Sequence, residues 1–465
     1  MSNRHTGKRA RSDFDSNSDS DSVEVEIVPN AKRARNLPSF LRDGDEAARL
    51  DQWDLILEGR METVSIEALF EACRTNRLDV VKMLLEHYKV DINGSDHAGD
   101  GLLHVPIILR NTDCVHLLLE RGINPNTQRS TDNQTPLSIA CAKGYWQCVQ
   151  LLLEYKAKPM MFIGNNNETP LFIACLKGHD KCARCILEHD TTTIHIPSEN
   201  GATPLYAACY NGHVDCVSLL LENGAVSIQG NCVGETPLFT ACQRGHAECV
   251  RLILKHDTRS IQIPAKKLVT PLLTACCRGH TDCARLILSE NTDTINMPNT
   301  KGGTPLAKAC RRGHTECVRL LLSHGANAEQ IVHKSGTTSL SLTCYMGRID
   351  CVRLLLEHGV SVVNDTKYVN IAFANKHWDI AALLLAHGAK ATGKYALLQP
   401  HRISSRKDTC AVCLETDKEL VTFAPCAHAC CCHSCMISMM ERKDELACPL
   451  CRAKVTSTFL LATEE

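Results

Sequence analysis

From Thr135 to about residue 390 the apolar positions fall into short paired blocks separated by Gly, Asn and Asp. One block, TPLFTACQRGHAECVRLILKHD from Thr236 to Asp257, shows the logic. Thr236 offers its hydroxyl as a helix cap, and Pro237 takes the first helical position, where a missing N–H costs nothing. Gly245 supplies the left-handed residue that ends that helix. Glu248 then opens a second helix, whose Val250, Leu252, Ile253 and Leu254 provide apolar packing. Neither helix can hide its stripe alone, so successive copies must stack. Thr-Pro-Leu recurs at Thr135, Thr169, Thr203, Thr236, Thr270 and Thr304, with the variant Thr338-Ser339-Leu340, in steps of 34, 34, 33, 34, 34 and 34 residues. One and two periods earlier stand Gly101–His104 and Glu67–Phe70, and a shortened copy ends near Lys390, so about ten units are expected.

Outside this region the pattern changes. Residues 1–46 hold two KRAR blocks, Lys8–Arg11 and Lys32–Arg35, around a Ser/Asp/Glu tract, Ser12–Glu26, with no basic residue. Such a tail cannot bury enough apolar surface to offset its ordering entropy and is predicted to be disordered. Across 47–66 apolar residues return (Leu50, Trp53, Leu55, Ile56, Leu57), predicting a helical cap on the repeats. Each KRAR block fits either the basic pattern read by nuclear import receptors or a solvated charge run. Val25–Val28 resembles a SUMO-interacting strand, with plain disorder as the alternative.

The net charge of −1 gives no global attraction to nucleic acid or to a membrane, so neither is expected as a partner. No stretch approaches the ~18 apolar residues of a spanning helix. The polar start does not read as a secretory leader. An intracellular protein, in nucleus and/or cytoplasm, is therefore expected, with reduced thiols.

The period, Thr-Pro-Leu, the Gly-His turn and the LLLE-x-G-A ending together resemble the ankyrin-repeat family over residues 67–391. The fold class expected is an all-α ankyrin solenoid of helix-turn-helix repeats with short hairpins. In the family a His usually follows the Leu. Here His104 keeps it, while the later units have Ser138, Phe172, Tyr206, Phe239, Leu273 and Ala307. The departure leaves open how far histidine bonds tie these repeats together. Nineteen of the 28 cysteines lie between Cys73 and Cys351, mostly at two places per unit, such as Cys242 and Cys249. They lack the clustered Cys-x2-Cys spacing of a zinc site and read as small buried hydrophobes. The turn histidines His179, His213, His246, His280 and His314 read as packing too.

The other nine cysteines crowd into residues 410–451. Cys410-x2-Cys413, Cys426-x-His428, Cys432-x2-Cys435 and Cys448-x2-Cys451 make four ligand pairs, enough for two tetrahedral zinc ions. Cys430 and Cys431 are surplus, and Cys432 is preferred because only it keeps the x2 spacing to Cys435. The order resembles the RING family, and C-A-V-C-L, P-C-A-H and C-P-L-C-R are most similar to the C-terminal RINGs of the inhibitor-of-apoptosis proteins. Ala427 replaces a usual glycine without touching a ligand. By this resemblance Cys410, Cys413, Cys432 and Cys435 hold the first zinc, and Cys426, His428, Cys448 and Cys451 the second. It further implies that Val412, Pro449 and Arg452 contact a ubiquitin-conjugating enzyme, Arg452 also its linked ubiquitin.

The expected organisation is a tail (1–46), a helical cap (47–66), repeats (67–391), a linker (392–407), a small zinc-stabilised α+β RING domain (408–455) and a C-terminal tail (456–465). Phe459 in that tail either packs locally or reaches a partner RING. The function expected from the resemblance is a RING-type ubiquitin ligase that binds protein substrate through its repeats, with no covalent intermediate on this chain. The alternative is a non-enzymatic scaffold with a structural zinc module.

Overall fold

The computed structural model describes residues 66–88, 92–96, 99–164, 166–332 and 336–392, and the backbone of 420–424, 428–432 and 457–460. The two KRAR blocks, the SUMO-like segment and nearly all of the expected cap lie outside these residues. Chain contacts divide at residue 90 into two units. In the first, α1 (Ile66–Arg74) and α2 (Leu78–His87) form a helix pair that buries Leu69, Phe70, Val80, Val81 and Leu84.

In the second unit nine further pairs follow. Their first, or inner, helices are α3 (His104–Ile108), α5 (Pro136–Lys143), α7 (Pro170–Lys177), α9 (Pro204–Asn211), α11 (Pro237–Arg244), α13 (Pro271–Arg278), α15 (Pro305–Arg312), α17 (Ser339–Met346) and α19 (Lys367–Ala374). The second, or outer, helices are α4 (Thr112–Glu120), α6 (Trp146–Glu154), α8 (Asp180–His189), α10 (Val214–Glu222), α12 (Ala247–His256), α14 (Thr281–Glu290), α16 (Thr315–Ser323), α18 (Ile349–Glu357) and α20 (Trp378–Ala386). Inner helix packs on inner helix and outer on outer, each pair against the next.

The caps are as the residues dictate. The Thr236 hydroxyl accepts from the Phe239 N–H at 3.2 Å, and Thr135, Thr169, Thr203, Thr270, Thr304 and Thr338 do the same one unit after another. All but the half-buried Thr338 are buried at the unit boundaries, so each of these helix starts is satisfied from within. The hairpins that precede the inner helices are bonded edge to edge. The Cys232 N–H donates to Asn200 O at 2.8 Å, Lys266 to Val233 at 3.0 Å, and Thr300 to Lys267 at 2.9 Å.

The inner helices from α5 to α17 each end at a left-handed glycine, with φ of +75° at Gly144 and +83° at Gly245 and Gly279, whereas α3 and α19 end without one. A second constraint acts on all of these glycines but Gly313, which meets Arg348, because the histidine of the next unit's turn lies against them. A Cβ on Gly245 would stand 2.5 Å from His280 Nδ1, and one on Gly144 would stand 2.7 Å from His179. The far nitrogen of each ring reaches the preceding inner helix. His213 Nε2 meets Leu176 O at 3.2 Å, His280 meets Gln243 O at 3.2 Å, and His314 meets Cys277 O at 3.1 Å. A carbonyl can only accept, so Nε2 carries the proton and the ring closes an otherwise unpaired helix end.

These contacts answer the question left by the lost family histidine. At His104 both ring nitrogens lie against carbonyls as in the family, Nδ1 by Gly101 O and Nε2 by Gln134 O, both at 3.1 Å, and the neutral ring donates to one of them. Later units are tied by the Gly-His turn histidines instead, which therefore do more than fill space. Burial lowers the pKa of His104, His179, His246 and His280, because a charged ring would be stripped of water there.

The repeat cysteines sit in the core. Cys141, Cys175, Cys209, Cys242, Cys276 and Cys310 have no exposure. They face thiols of the next unit's outer helix: Cys242 bonds Cys283, and Cys276 bonds Cys317. In both pairs the inner thiol donates: burial and then this bond raise the pKa of Cys242, the bond and then burial raise that of Cys276, and the bond lowers the pKa of Cys283 and Cys317. Burial pushes Cys141, Cys209 and Cys310 well above the usual thiol range. Among the described residues no group of three or more His, Cys, Asp or Glu could hold a metal, and no helix is long and apolar enough to cross a membrane.

Two outcomes are expected. Gly224, at φ +85° with nothing near its missing Cβ, matches Gly245 in backbone but lacks the histidine. Gly224→Ala should therefore cost about 1–2 kcal/mol of backbone strain, and Gly245→Ala measurably more in urea melts; equal losses would show that the His280 contact contributes nothing. In pH-dependent melts, the depressed histidines bind protons more readily when unfolded, so stability holds above about pH 6.5 and falls as pH drops below it. The raised thiols act oppositely, so stability also falls above about pH 8.5.

Candidate functional site

Two regions carry chemistry beyond packing: the cysteine-rich C-terminal segment and the inner face of the repeats. In the first, β1 (Leu420–Ala424) lies between β2 (His428–Cys432) and β3 (Ser457–Leu460) in an antiparallel sheet of order β2-β1-β3. Phe423 pairs with His428 and Thr422 with Ala429; the register then shifts, so that Val421 pairs with Cys431 and Leu420 with Cys432. Cys430 is the extra residue at this bulge, which accounts for one of the two surplus cysteines. The shift also decides parity. His428 pairs with an odd-numbered residue of β1 and Cys432 with an even-numbered one, so the two occupy opposite faces of the sheet. Without the bulge, positions four apart would share a face.

Among the predicted metal ligands, His428 and Cys432 are thus placed at the two ends of β2. Cys410, Cys413, Cys426, Cys435, Cys448 and Cys451 lie outside the described residues, as do Val412, Pro449 and Arg452. Phe459 pairs with Thr422 within β3, so four residues expected in the C-terminal tail belong to the sheet.

The inner face of the repeats presents hairpins and inner helices together. Near its middle the Tyr206 hydroxyl donates to Glu235 Oε2 at 3.0 Å, and the Asn231 amide donates to the same carboxylate at 3.1 Å. Burial, reinforced by the Glu235 charge, pushes the Tyr206 phenol up to about 12, so it remains a donor at neutral pH. One turn on, the Arg244 guanidinium lies 3.9 Å over the Tyr210 ring. Toward the end of the array a cleft of about 420 Å³ opens between α17 and α19. Leu342, Tyr345, Ile371 and Ala374 form its apolar walls, and Lys367, Asn370 and Asn375 its polar margin. Tyr345 is 55% exposed there, although it belongs to a core-packed helix.

A hairpin-and-helix-pair array with a capped, stacked core is a protein-interaction scaffold, here joined to a cysteine-rich sheet. Comparison with known proteins agrees. The sequence model "Ankyrin repeats (3 copies)" matches residues 53–129, 124–197, 189–267 and 261–332, more than half of the chain, and the single-repeat model matches 335–368. "Zinc finger, C3HC4 type (RING finger)" matches 406–458. The chain belongs to the ankyrin-repeat family and carries a RING finger, a zinc-binding domain, at its C-terminal end. It is 35% identical over 80 residues to Ankyrin repeat and SOCS box protein 16 of Homo sapiens, a match spanning 17% of each chain. The human ASB11 ankyrin repeat domain, solved by crystallography, is 29% identical with a TM-score of 0.43, covering 48% of this chain and 98% of that one.

Sequence reasoning did not find the cleft or the tyrosine cluster. Tyr345 and Ile371 sit 26 residues apart on different units, and no local spacing marks them as neighbours. Tyr206 stood out only as a replacement for the family histidine. If its hydroxyl bridges hairpin and helix as observed, Tyr206→Phe should lower the melting temperature by a loss of about 1 kcal/mol, while Tyr345→Phe, at an exposed position, should leave it unchanged.

Proposed function

We propose that this chain is a RING-type ubiquitin ligase that binds a protein substrate on its repeats and recruits a charged ubiquitin-conjugating enzyme through its RING. The observation that carries this reading is the set of four ligand pairs within residues 406–458, the segment matched by the RING model. Seven cysteines and one histidine in pairs suit two tetrahedral zinc ions, Cys410, Cys413, Cys432 and Cys435 at one and Cys426, His428, Cys448 and Cys451 at the other. The opposite parity of His428 and Cys432 on β2 supports their assignment to different ions. Bound zinc would supply folding energy to this short segment, and no chemistry of transfer.

Transfer then rests on the chain's own side chains. Val412 and Pro449 offer an apolar seat to the conjugating enzyme, and Arg452 a forked donor able to bond that enzyme and its ubiquitin at once. Holding the thioester in one geometry lets a substrate lysine attack it, which is catalysis by positioning. No cysteine of this chain is required as a nucleophile. The place of action is intracellular, in nucleus and/or cytoplasm, where ubiquitin transfer occurs.

Autoubiquitination of the zinc-loaded chain with a panel of conjugating enzymes tests the reading. Val412→Ala and Arg452→Ala should each slow chain formation about tenfold or more, or ~1.4 kcal/mol of transition-state stabilisation, while retaining two zinc ions per chain. If no enzyme yields chains above a Cys410→Ala control, the ligase reading fails and the scaffold reading stands.

A further inference from the structure

Charge is sorted by helix along the second unit. The nine inner helices α3 to α19 contain no Asp or Glu. Their cations include Lys143, Lys177, Arg244 and Arg278, each just before the terminating glycine, and Lys308, Arg311 and Arg312 together on α15. Every outer helix from α4 to α20, by contrast, carries at least one acid.

Helix dipoles do not explain the sorting. A dipole favours cations at a helix C-terminus and disfavours acids there. Yet the outer helices α6, α10, α14 and α18 end in Glu154, Glu222, Glu290 and Glu357. What differs between the two sets is the face they present.

The positive charge is densest from α11 to α15. Arg244, Arg278, Arg311 and Arg312 are exposed, and among the described residues none of them forms an ion pair. The hairpins change sign at the same place: Glu168, Glu199 and Glu235 occupy the earlier ones, Lys266 and Lys301 the later ones. Lys308 is half-buried among these cations. Burial lowers its pKa first, Cys277 opposes the shift, and Arg311, Lys301 and Arg312 lower it further, which registers three cations converging on a fourth. Beyond α15, the next inner helix is α17, whose Leu342 and Tyr345 wall the cleft of about 420 Å³. Unbalanced cations on one face, continued by an apolar slot with a tyrosine at its mouth, form a composite surface.

We propose that the inner face of α11, α13 and α15, with the α17–α19 cleft, docks an extended acidic segment of a partner protein that ends in one apolar anchor residue. Inner helices about 8–10 Å apart, and about 3.3 Å per extended residue, make roughly ten residues enough to run from Arg244 to the cleft. The acids pair with Arg278, Arg311 and Arg312, and the anchor enters between Leu342 and Ile371. The inference deepens the substrate-binding half of the proposed function by naming the chemistry of the segment that is held.

The test is fluorescence anisotropy on the zinc-loaded full chain. The probe is a fluorescein-labelled 16-residue peptide of Asp, Glu and Ser with one Leu near its end. The acidic peptide should bind, and raising salt from about 50 to about 300 mM should weaken it at least about tenfold, as screened charge pairs require. Replacing its acids by Asn and Gln should abolish binding. The triple change Arg278→Glu, Arg311→Glu, Arg312→Glu should weaken binding at least about tenfold. The same charge change on outer helices, Arg285→Glu, Arg319→Glu, Arg353→Glu, should leave it within about twofold, with thermal melts confirming that both variants fold. Ile371→Ser should weaken the Leu peptide and not its Leu→Ser counterpart.

No binding at low salt, or equal losses in the two triple variants, overturns the proposal. A single-stranded oligonucleotide of equal charge that binds more tightly through the same arginines overturns it in favour of nucleic acid. Because binding is read without ubiquitin transfer, a chain that binds the peptide but builds no ubiquitin chains upholds this inference while rejecting the ligase. One that builds chains but ignores the peptide does the reverse.

Discussion

A glycine at the end of six inner helices and a histidine from the next unit pack directly against one another, and the integrity of the array follows from that contact. A pair of eight- to ten-residue helices is too short to be stable in isolation, since helix nucleation is costly and each pair leaves an apolar stripe uncovered. Burial of Leu137, Leu171, Leu205, Leu238, Leu272 and Leu306 at unit boundaries supplies the driving force, but burial is not directional. Direction comes from the turn. The glycine permits a left-handed end without a Cβ, and the imidazole fills the vacant space and closes the helix end with its Nε2–H. The hairpin ladder on the other side repeats the logic with backbone bonds, from Cys232 to Asn200 and from Lys266 to Val233.

This arrangement bears on function because it separates the residues that stack from those that face a partner. Thr, Pro, Leu, Ala, Cys, Gly and His recur because they are consumed by capping, burial and the turn. The positions that vary, such as Tyr210, Gln243, Cys277, Arg311 and Tyr345, are those left over on the inner face. Evolution can change them without disturbing the stack, so recognition is written there. The RING finger differs in that its sequence sets cysteines in the paired spacing that zinc requires. One chain therefore joins a protein-interaction scaffold to a zinc-binding domain.

The cysteines show how one residue type serves both parts by context. In the repeats, thiols such as Cys242 and Cys276 are buried at fixed positions and bond to the thiol of the following unit. Burial holds Cys141, Cys209 and Cys310 in the protonated form, far from the thiolate that binds metal or attacks an electrophile. In the C-terminal segment the spacing of two between paired cysteines is the one that zinc ligands take. The bulge at Cys430 refines that picture, because it moves Cys432 to the face opposite His428.

Local sequence determined the helix pairs almost to the residue. Thr236, Pro237 and Gly245 act on their own neighbours along the chain, and a cap, a first-turn proline and a left-handed stop need no distant partner. The 34-residue step did the same for the order of units, and the ligand spacing for the RING. Contacts between units were decided only in three dimensions. His280 reaches Gln243 across 37 residues, and nothing near either one announces it. The Tyr206–Glu235 bond and the Tyr345–Ile371 cleft likewise exist because stacking brings separate hairpins and helices side by side. Charge lies between these cases. Every arginine of the inner face is visible in the chain, but only the division into inner and outer helices sets Arg244, Arg278, Arg311 and Arg312 on one set of helices and the helical glutamates on the other.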